Sequence, residues 1–428
     1  MKLRLRFALP STLLLASLAF AQSPIPSGEF KRIQLTDEFW AEGANFGDFN
    51  KDGKNDVVYG QFWWEGPDFA KKHEYFKVEK SFTVKAADGT EKTVQGYKGA
   101  LSTENDYSKN FLAYTHDFNA DGWTDILILG FPGEQSWWFE NPQGKEGLWK
   151  QHVALDVTDN ESPTFTDLTG DGKPEIVCMS KGKIGYATPD AKNPTAPFAW
   201  HPISPAVTTK NKDGKDVNVF QRFTHGLGIG DVNGDGKMDV LEKDGWWQQP
   251  ASLDGDPAWT KNEAKFGDGG AQMFAYDVNS DGRNDIITSL QAHGYGLVWF
   301  EQTNDGGVVG WTKHMIVGDK PEQNPQGIVF SQPHAIDLVD MNGDGAKDIV
   351  TGKRFWAHGP KGDNDPNGTP VLYWFELDRT ANKLRFVGHL IDDASGIGTQ
   401  VVAGDINGDK KPDVVVGNKR GAFVFLRK

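Results

Sequence analysis

Residues 231–240 read DVNGDGKMDV. Asp231, Asp235 and Asp239 fall within nine positions, Asn233 sits among them, and no basic residue is placed to pair with all three. Like charges this close repel, so the stretch calls for a partner. It is not alone. DFNKDGKND begins at Asp48, DFNADGWTD at Asp117, DLTGDGKPE at Asp167, DVNSDGRND at Asp277, DMNGDGAKD at Asp340 and DINGDKKPD at Asp405. These are seven copies of D-x-[NT]-x-D-[GK]-x-x-[DE], spaced 46 to 69 residues apart. Self-similarity at such a period implies repeated supersecondary units.

Positions one, three, five and nine of each copy carry oxygen side chains. They are Asp48, Asn50, Asp52 and Asp56; Asp117, Asn119, Asp121 and Asp125; Asp167, Thr169, Asp171 and Glu175; and Asp231, Asn233, Asp235 and Asp239. The last three copies supply Asp277, Asn279, Asp281 and Asp285; Asp340, Asn342, Asp344 and Asp348; and Asp405, Asn407, Asp409 and Asp413. Hard oxygen donors on a turn that glycine sharpens at position six suit calcium. The competing reading is seven solvated Asx turns, which seven copies make the weaker one. The third copy, with Thr169 and Glu175, and the seventh, with Lys410 where the others have glycine, are expected to be the weakest sites. An EF-hand needs glutamate at position twelve and flanking helices; only Glu242 meets the first condition, and the flanks DVVYG, DILILG and DIVTG are short, β-branched and apolar. The loops therefore join strands.

An aromatic strand follows each loop (WWEGP, WWFENP, GYATP, WWQQP, VWFEQ, YWFEL, FVFL), then an outer strand such as YFKVEK, WKQHVALD or RFVGHLIDD. Four strands per unit and seven units predict an all-β, seven-bladed propeller whose closure protects the sheet edges. The seventh unit stops after three strands at Lys428, and FKRIQLTD (30–37) matches the missing outer strand, so the N-terminal strand is expected to close the ring. The recurrent tryptophans fit packing between blades better than sugar stacking.

The N-terminus has the shape of a secretory leader. Lys2, Arg4 and Arg6 precede an apolar stretch and Ala19-Phe20-Ala21. The expected organisation is a signal peptide over 1–21 and one propeller domain over 22–428, secreted to the periplasm or beyond, free of the membrane after cleavage, and monomeric. Loss of the leader takes the formal net charge from −14 to −17. That acidity excludes nucleic acid and leaves cations, carbohydrate or a protein as partners. Cys178 is the single cysteine and forms no internal disulfide.

With these loops over residues 30–428, the chain resembles the FG-GAP/VCBS repeat family, whose propellers include the integrin alpha head; NFGDFN keeps part of the family's literal signature. The resemblance implies a propeller with calcium in the loops. The stretch PHAIDLVDMNGDGAKDIVTGKRFWAHGPKG also resembles the propeller of aldos-2-ulose dehydratases, enzymes that eliminate water from keto-sugars. That likeness implies carbohydrate chemistry.

Candidate chemistry lies at the end opposite the acidic loops. Six positions before each loop stand Glu42, Phe111, Glu161, His225, Ala271, His334 and Thr399. Equal offset places them at equal depth in the axial channel. Two glutamates and two histidines there suit one transition metal or acid–base chemistry on a sugar, with Glu42, Glu161, His225 and His334 as the catalytic candidates. The loops between second and third strands add a rim of Lys243, His293, Lys353, Arg354, His358, Lys419 and Arg420. The insertion HGPKGDNDPNGTP (358–370) reads as a lid or a passive loop. Two functions follow as expectations: a calcium-stabilised module that binds glycan or protein at this open face, or a metal-assisted lyase or dehydratase acting on a keto-sugar in the channel.

Overall fold

The computed structural model describes residues 26–78, 82–85, 89–94, 107–380 and 384–428. The expected leader lies outside them, as does part of the long connection ahead of the second loop. Among the described residues no helix is long and apolar enough to cross a membrane.

Each acidic loop joins the first two strands of a four-stranded antiparallel unit, and the units form a β-propeller. The loop folds on its own side chains. In the fourth copy Asp231 accepts hydrogen bonds from the backbone N–H groups of Gly234, Asp235 and Gly236, at 2.7, 3.1 and 2.9 Å. Position six has positive φ in every copy, including Lys410 at 68°. A lysine therefore adopts the backbone that glycine takes elsewhere, at a steric cost. Position four is left-handed too, through Lys51, Ala120 and Ser280 as well as four glycines, which the sequence pattern did not announce.

Position nine has a role that the ligand pattern hid. Asp239 is fully buried; its Oδ2 accepts the N–H of Val232 at 3.0 Å and its Oδ1 that of Gln249 at 2.9 Å. The same pair of bonds recurs at Asp56, Asp125, Asp285, Asp348 and Asp413. The carboxylate thus staples the loop to the end of the third strand, satisfying donors that burial would otherwise orphan. Burial pushes these acids up, to about 7 for Asp125 and about 6 for the other five.

Closure follows the sequence. Phe30–Thr36 pairs antiparallel with Gly421–Arg427 and completes the last four-stranded sheet. Two expectations need correction. The sheets are not seven separate ones: five have four strands, and the fourth and fifth units merge into one of eight. There Leu227–Gly230 pairs in parallel with Gln272–Tyr276. Gly228 permits it, since a Cβ at that position would lie 1.8 Å from the carbonyl oxygen of Met273. The outer strand of the first unit is Lys72–Glu74, ahead of the expected YFKVEK. Tyr75 leaves the sheet to pack against Phe139 and Trp149.

The core is a ring of hydrophobic clusters, each bridging consecutive units. One joins Val57 and Tyr59 of the first unit to Val415 and Val424 of the last. Another joins Trp299 of the fifth to Tyr373 and Phe375 of the sixth. The tryptophans lie in these inter-unit clusters. Several also stack on a histidine of their own outer strand, as Trp63 on His73 and Trp374 on His389, at centroid distances of 4.0 and 4.2 Å.

Candidate active site

The residues six positions before the loops sit where inner strands begin, at the end of the units remote from the acidic loops. Backbone hydrogen bonds between units fix them there. The Glu42 N–H donates to the Asn110 carbonyl at 3.0 Å, Glu161 to Thr224 at 2.9 Å, and Thr399 to Glu42 at 2.8 Å. Thr399 Oγ1 also donates to the Phe111 carbonyl at 2.9 Å. Chain position therefore sets side-chain position, as equal offset requires.

Three of the four catalytic candidates converge. His225 Nε2 lies 3.2 Å from His334 Nε2 and 3.4 Å from Glu161 Oε2. His334 Nε2 is 3.2 Å from the same carboxylate oxygen. The fourth member is His293, expected only on the rim, whose Nε2 is 3.2 Å from that of His225. Ligand atoms of Glu161, His225, His293 and His334 all lie within 4.8 Å of one another. A second rim residue, Arg354, is buried at the centre. Its guanidinium donates to Glu42 Oε2 at 3.1 Å and reaches Glu161 Oε2 at 3.5 Å. So Glu42 joins the group through Arg354, and its Oε1 is left without a hydrogen-bond partner.

The electrostatics follow from burial. His334 is fully buried, and loss of solvent, helped by the Arg354 cation, drives its imidazole well towards the neutral form. Burial does the same to His293. Burial would raise Glu161, but hydrogen bonds from His225 and His334 outweigh it and keep the carboxyl well below its usual range. For Arg354, pairing with Glu42 and Glu161 outweighs the desolvation of its charge.

A neutral imidazole nitrogen has either one proton or one lone pair. Nε2 of His225 faces three polar atoms at 3.2–3.4 Å and can satisfy one of them. A cation among the four would accept every lone pair at once. Ligands held about 2.0–2.1 Å from a tetrahedral zinc-like ion lie roughly 3.3 Å apart, which four of the six separations match, while His293 would have to move towards Glu161 and His334 to complete the set. The imidazole donors select a transition metal over calcium.

Among the remaining rim candidates His358 borders this group, its ring 4.5 Å from that of His293, while the lysines and Arg420 are engaged elsewhere. Lys353 is buried, with Nζ against Ser331 Oγ, and burial pulls it down to about 8. Lys419 is buried with its ammonium over the rings of Phe39 and Tyr107. Lys243 pairs with Asp244, and Arg420 lies over Phe355. His358 stays exposed and bonds Asp363. Two residues escaped the sequence reading. Tyr107 places its ring 5.9 Å from the Arg354 guanidinium. Asp363, inside the 358–370 insertion, reaches His293. Nothing in the repeat pattern marks either, because both lie between repeats.

Among the acidic loops, the third is the one whose three carboxylates, Asp167, Asp171 and Glu175, come within 4.8 Å of one another among the described residues. The extra methylene of Glu175 lets the ninth side chain reach Thr169 Oγ1 at 3.3 Å.

Residues 117–178, 277–351 and 340–416 match the FG-GAP-like repeat. The chain carries FG-GAP-like repeats. The matched segments hold the second, third, fifth, sixth and seventh acidic loops of this FG-GAP repeat chain. No curated protein sequence matches it. Among solved structures it is similar to an Agrocybe aegerita lectin that recognises non-reducing terminal N-acetylglucosamine, at 16% identity and TM-score 0.43, covering 92% of this chain and 86% of that one. It is similar to a Bacteroides uniformis candidate 6-phosphogluconolactonase at 10% identity and TM-score 0.41, covering 90% of each chain. It is also similar to the rhamnogalacturonan lyase YesW at 14% identity and TM-score 0.37, covering 95% of this chain and 74% of that one. At these TM-scores none of the three bears on what the FG-GAP repeat chain binds.

Proposed function

We propose that the axial cluster holds one transition metal ion and that the protein is a metal-assisted lyase or dehydratase acting on a keto-sugar. The carrying observation is the convergence of three imidazole nitrogens and one carboxylate within 4.8 Å of one another, with four of the separations at 3.2–3.4 Å. A metal held there supplies a Lewis acid that polarises a sugar carbonyl and acidifies the neighbouring C–H. Glu42, with one carboxylate oxygen free of hydrogen bonds, is the group that takes that proton. The C–O bond on the next carbon then breaks, the proton held by Glu42 passes to the departing hydroxyl, and water leaves with a conjugated enone as the other product. Arg354 pairs with Glu42 at 3.1 Å and with Glu161 at 3.5 Å, so one cation lies between the two carboxylates.

The module that only binds glycan or protein at the open face has less support. It would draw on the rim cations, and Lys353, Arg354 and Lys419 are buried.

The scaffold is proposed as a secreted, calcium-stabilised ring of seven blades, with the eight-stranded sheet counted as two. Support comes from the seven acidic loops, each with two left-handed residues that curl it around its oxygens, and from the inter-unit clusters that run from first unit to last. The functional test is ultraviolet absorption of the enone when metal-loaded protein meets a panel of keto-sugars. Absorbance that rises for wild type and not for His225→Ala/His334→Ala supports the lyase reading. Saturable sugar binding with no absorbance change for any member supports the binding module instead.

A further inference from the structure

The 358–370 insertion reaches the axial site. Asn364 carbonyl oxygen accepts Ser331 Oγ at 2.8 Å and Gln332 Nε2 at 3.2 Å, which pins the insertion against the connection leading to His334. Inside it, Asp363 is almost fully buried. Its Oδ2 accepts the His358 backbone N–H at 3.0 Å and its Oδ1 contacts His358 Nδ1 at 2.7 Å. That same Oδ1 lies 3.4 Å from Nδ1 of His293.

We propose that Asp363 is a positioning residue for the axial site, aiming Nε2 of His293 at Glu161, His225 and His334 from behind. The proposal rests on the metal reading of that site. A histidine that ligates through Nε2 carries its proton on Nδ1, and an acceptor behind the ring fixes both tautomer and orientation. His293 is the imidazole that needs this most. Its side chain is 25% exposed, against 15% for His225 and 0% for His334, so packing restrains it least. Nδ1 of His293 and Nδ1 of His334 are both buried without a hydrogen-bond partner, but the His293 nitrogen has the Asp363 carboxylate 3.4 Å behind it, close enough to bond on a small adjustment. Asp363 is itself held on both oxygens by His358, so the insertion delivers a fixed carboxylate rather than a loose one. The site is thereby assembled from the repeats and completed by a segment outside them.

The experiment is cobalt(II) titration of the full chain, read by the visible d–d absorption and by the dissociation constant. Wild type is compared with Asp363→Ala, Asp363→Asn and Asn367→Ala. Asn367 accepts Trp356 Nε1 at 3.0 Å and donates to the Pro360 carbonyl at 3.2 Å, so its loss loosens the insertion without touching His293. Asp363→Ala is expected to weaken cobalt binding about 10- to 100-fold and to alter the d–d band. Asp363→Asn, which keeps an acceptor but not the charge, should lose less. Asn367→Ala should match wild type in affinity and spectrum. Circular dichroism melts of each variant establish that it is folded. Asp363→Ala with wild-type affinity and spectrum overturns the positioning role alone, and so does Asn367→Ala losing as much as Asp363→Ala. A wild type that takes up no cobalt overturns this proposal together with the metal site.

Discussion

The two ends of the units are built on opposite plans. At one end, seven loops repeat nearly the same side chains, the same hydrogen bond from the sixth N–H to the first carboxylate and the same pair of left-handed residues. At the other, the positions equivalent by offset hold Glu, Phe, Glu, His, Ala, His and Thr. Repetition serves the first end because every unit must turn and pair alike. Departure from repetition serves the second, because a site needs unlike groups at one point. The repeats set the depth of each axial residue; the deviations set the chemistry.

The largest effect should come from breaking the ring that both ends share. Deleting residues 22–37 removes Phe30–Thr36 and leaves Gly421–Arg427 as a bare sheet edge. The truncated protein should aggregate or unfold, and a soluble truncation with the wild-type melting temperature would mean that the strand is dispensable.

Next comes the loop end. With calcium stripped, clustered carboxylates lose their counter-ion. If each loop binds with the 0.1–1 mM constant of extracellular modules, calcium at ten times that constant adds roughly 1.4 kcal/mol per filled loop. Chelator should therefore lower the melting temperature and millimolar calcium restore it, leaving transition-metal content untouched. A melting curve indifferent to chelator removes calcium from the account.

A smaller effect belongs to the axial end. Burial depresses Lys353 to about 8, against about 10.4 in an unfolded chain. Between those values the unfolded chain holds the proton that the folded chain has lost, so this group adds stability as pH rises through that window and adds none below it. Relative to Lys353→Met, wild type should gain at most roughly 1.4 kcal/mol per pH unit from pH 8 to 10. Paired thermal melts at pH 7.5 and 9.5 measure it, and a gap that stays constant refutes the burial argument.

The smallest concerns one backbone angle. Lys410 carries φ of 68° where the other loops place glycine. Lys410→Gly should relieve about 1 kcal/mol of strain and raise the melting temperature slightly, whereas Gly236→Lys should lower it. Equal and opposite shifts are not required, but a Lys410→Gly variant that melts earlier than wild type contradicts the strain.

What was legible in the sequence follows the same division. The strand order, the loop between first and second strands and the closing role of residues 30–36 could all be read, because seven copies average out local ambiguity. Glu161, His225 and His334 were found by counting back from the loops. His293 and Arg354 read from the sequence as rim residues, since a loop's path inward depends on packing that the repeat does not encode. Asp363 carries no signal in the sequence, because proximity to His293 is set by how the insertion folds against Ser331 and Gln332. The merging of the fourth and fifth units was missed for a related reason: it depends on what the bare backbone of Gly228 meets in the neighbouring unit.

The central claim is that the deviating residues at the axis hold a transition metal while the repeating loops do not. Elemental analysis of the full chain, after zinc loading and removal of calcium with a mild chelator, tests it most directly. Wild type should retain about one zinc per chain, and His225→Ala/His334→Ala should retain none while keeping its calcium-dependent melting temperature. Zinc retained equally by both proteins, or by neither, would contradict the claim.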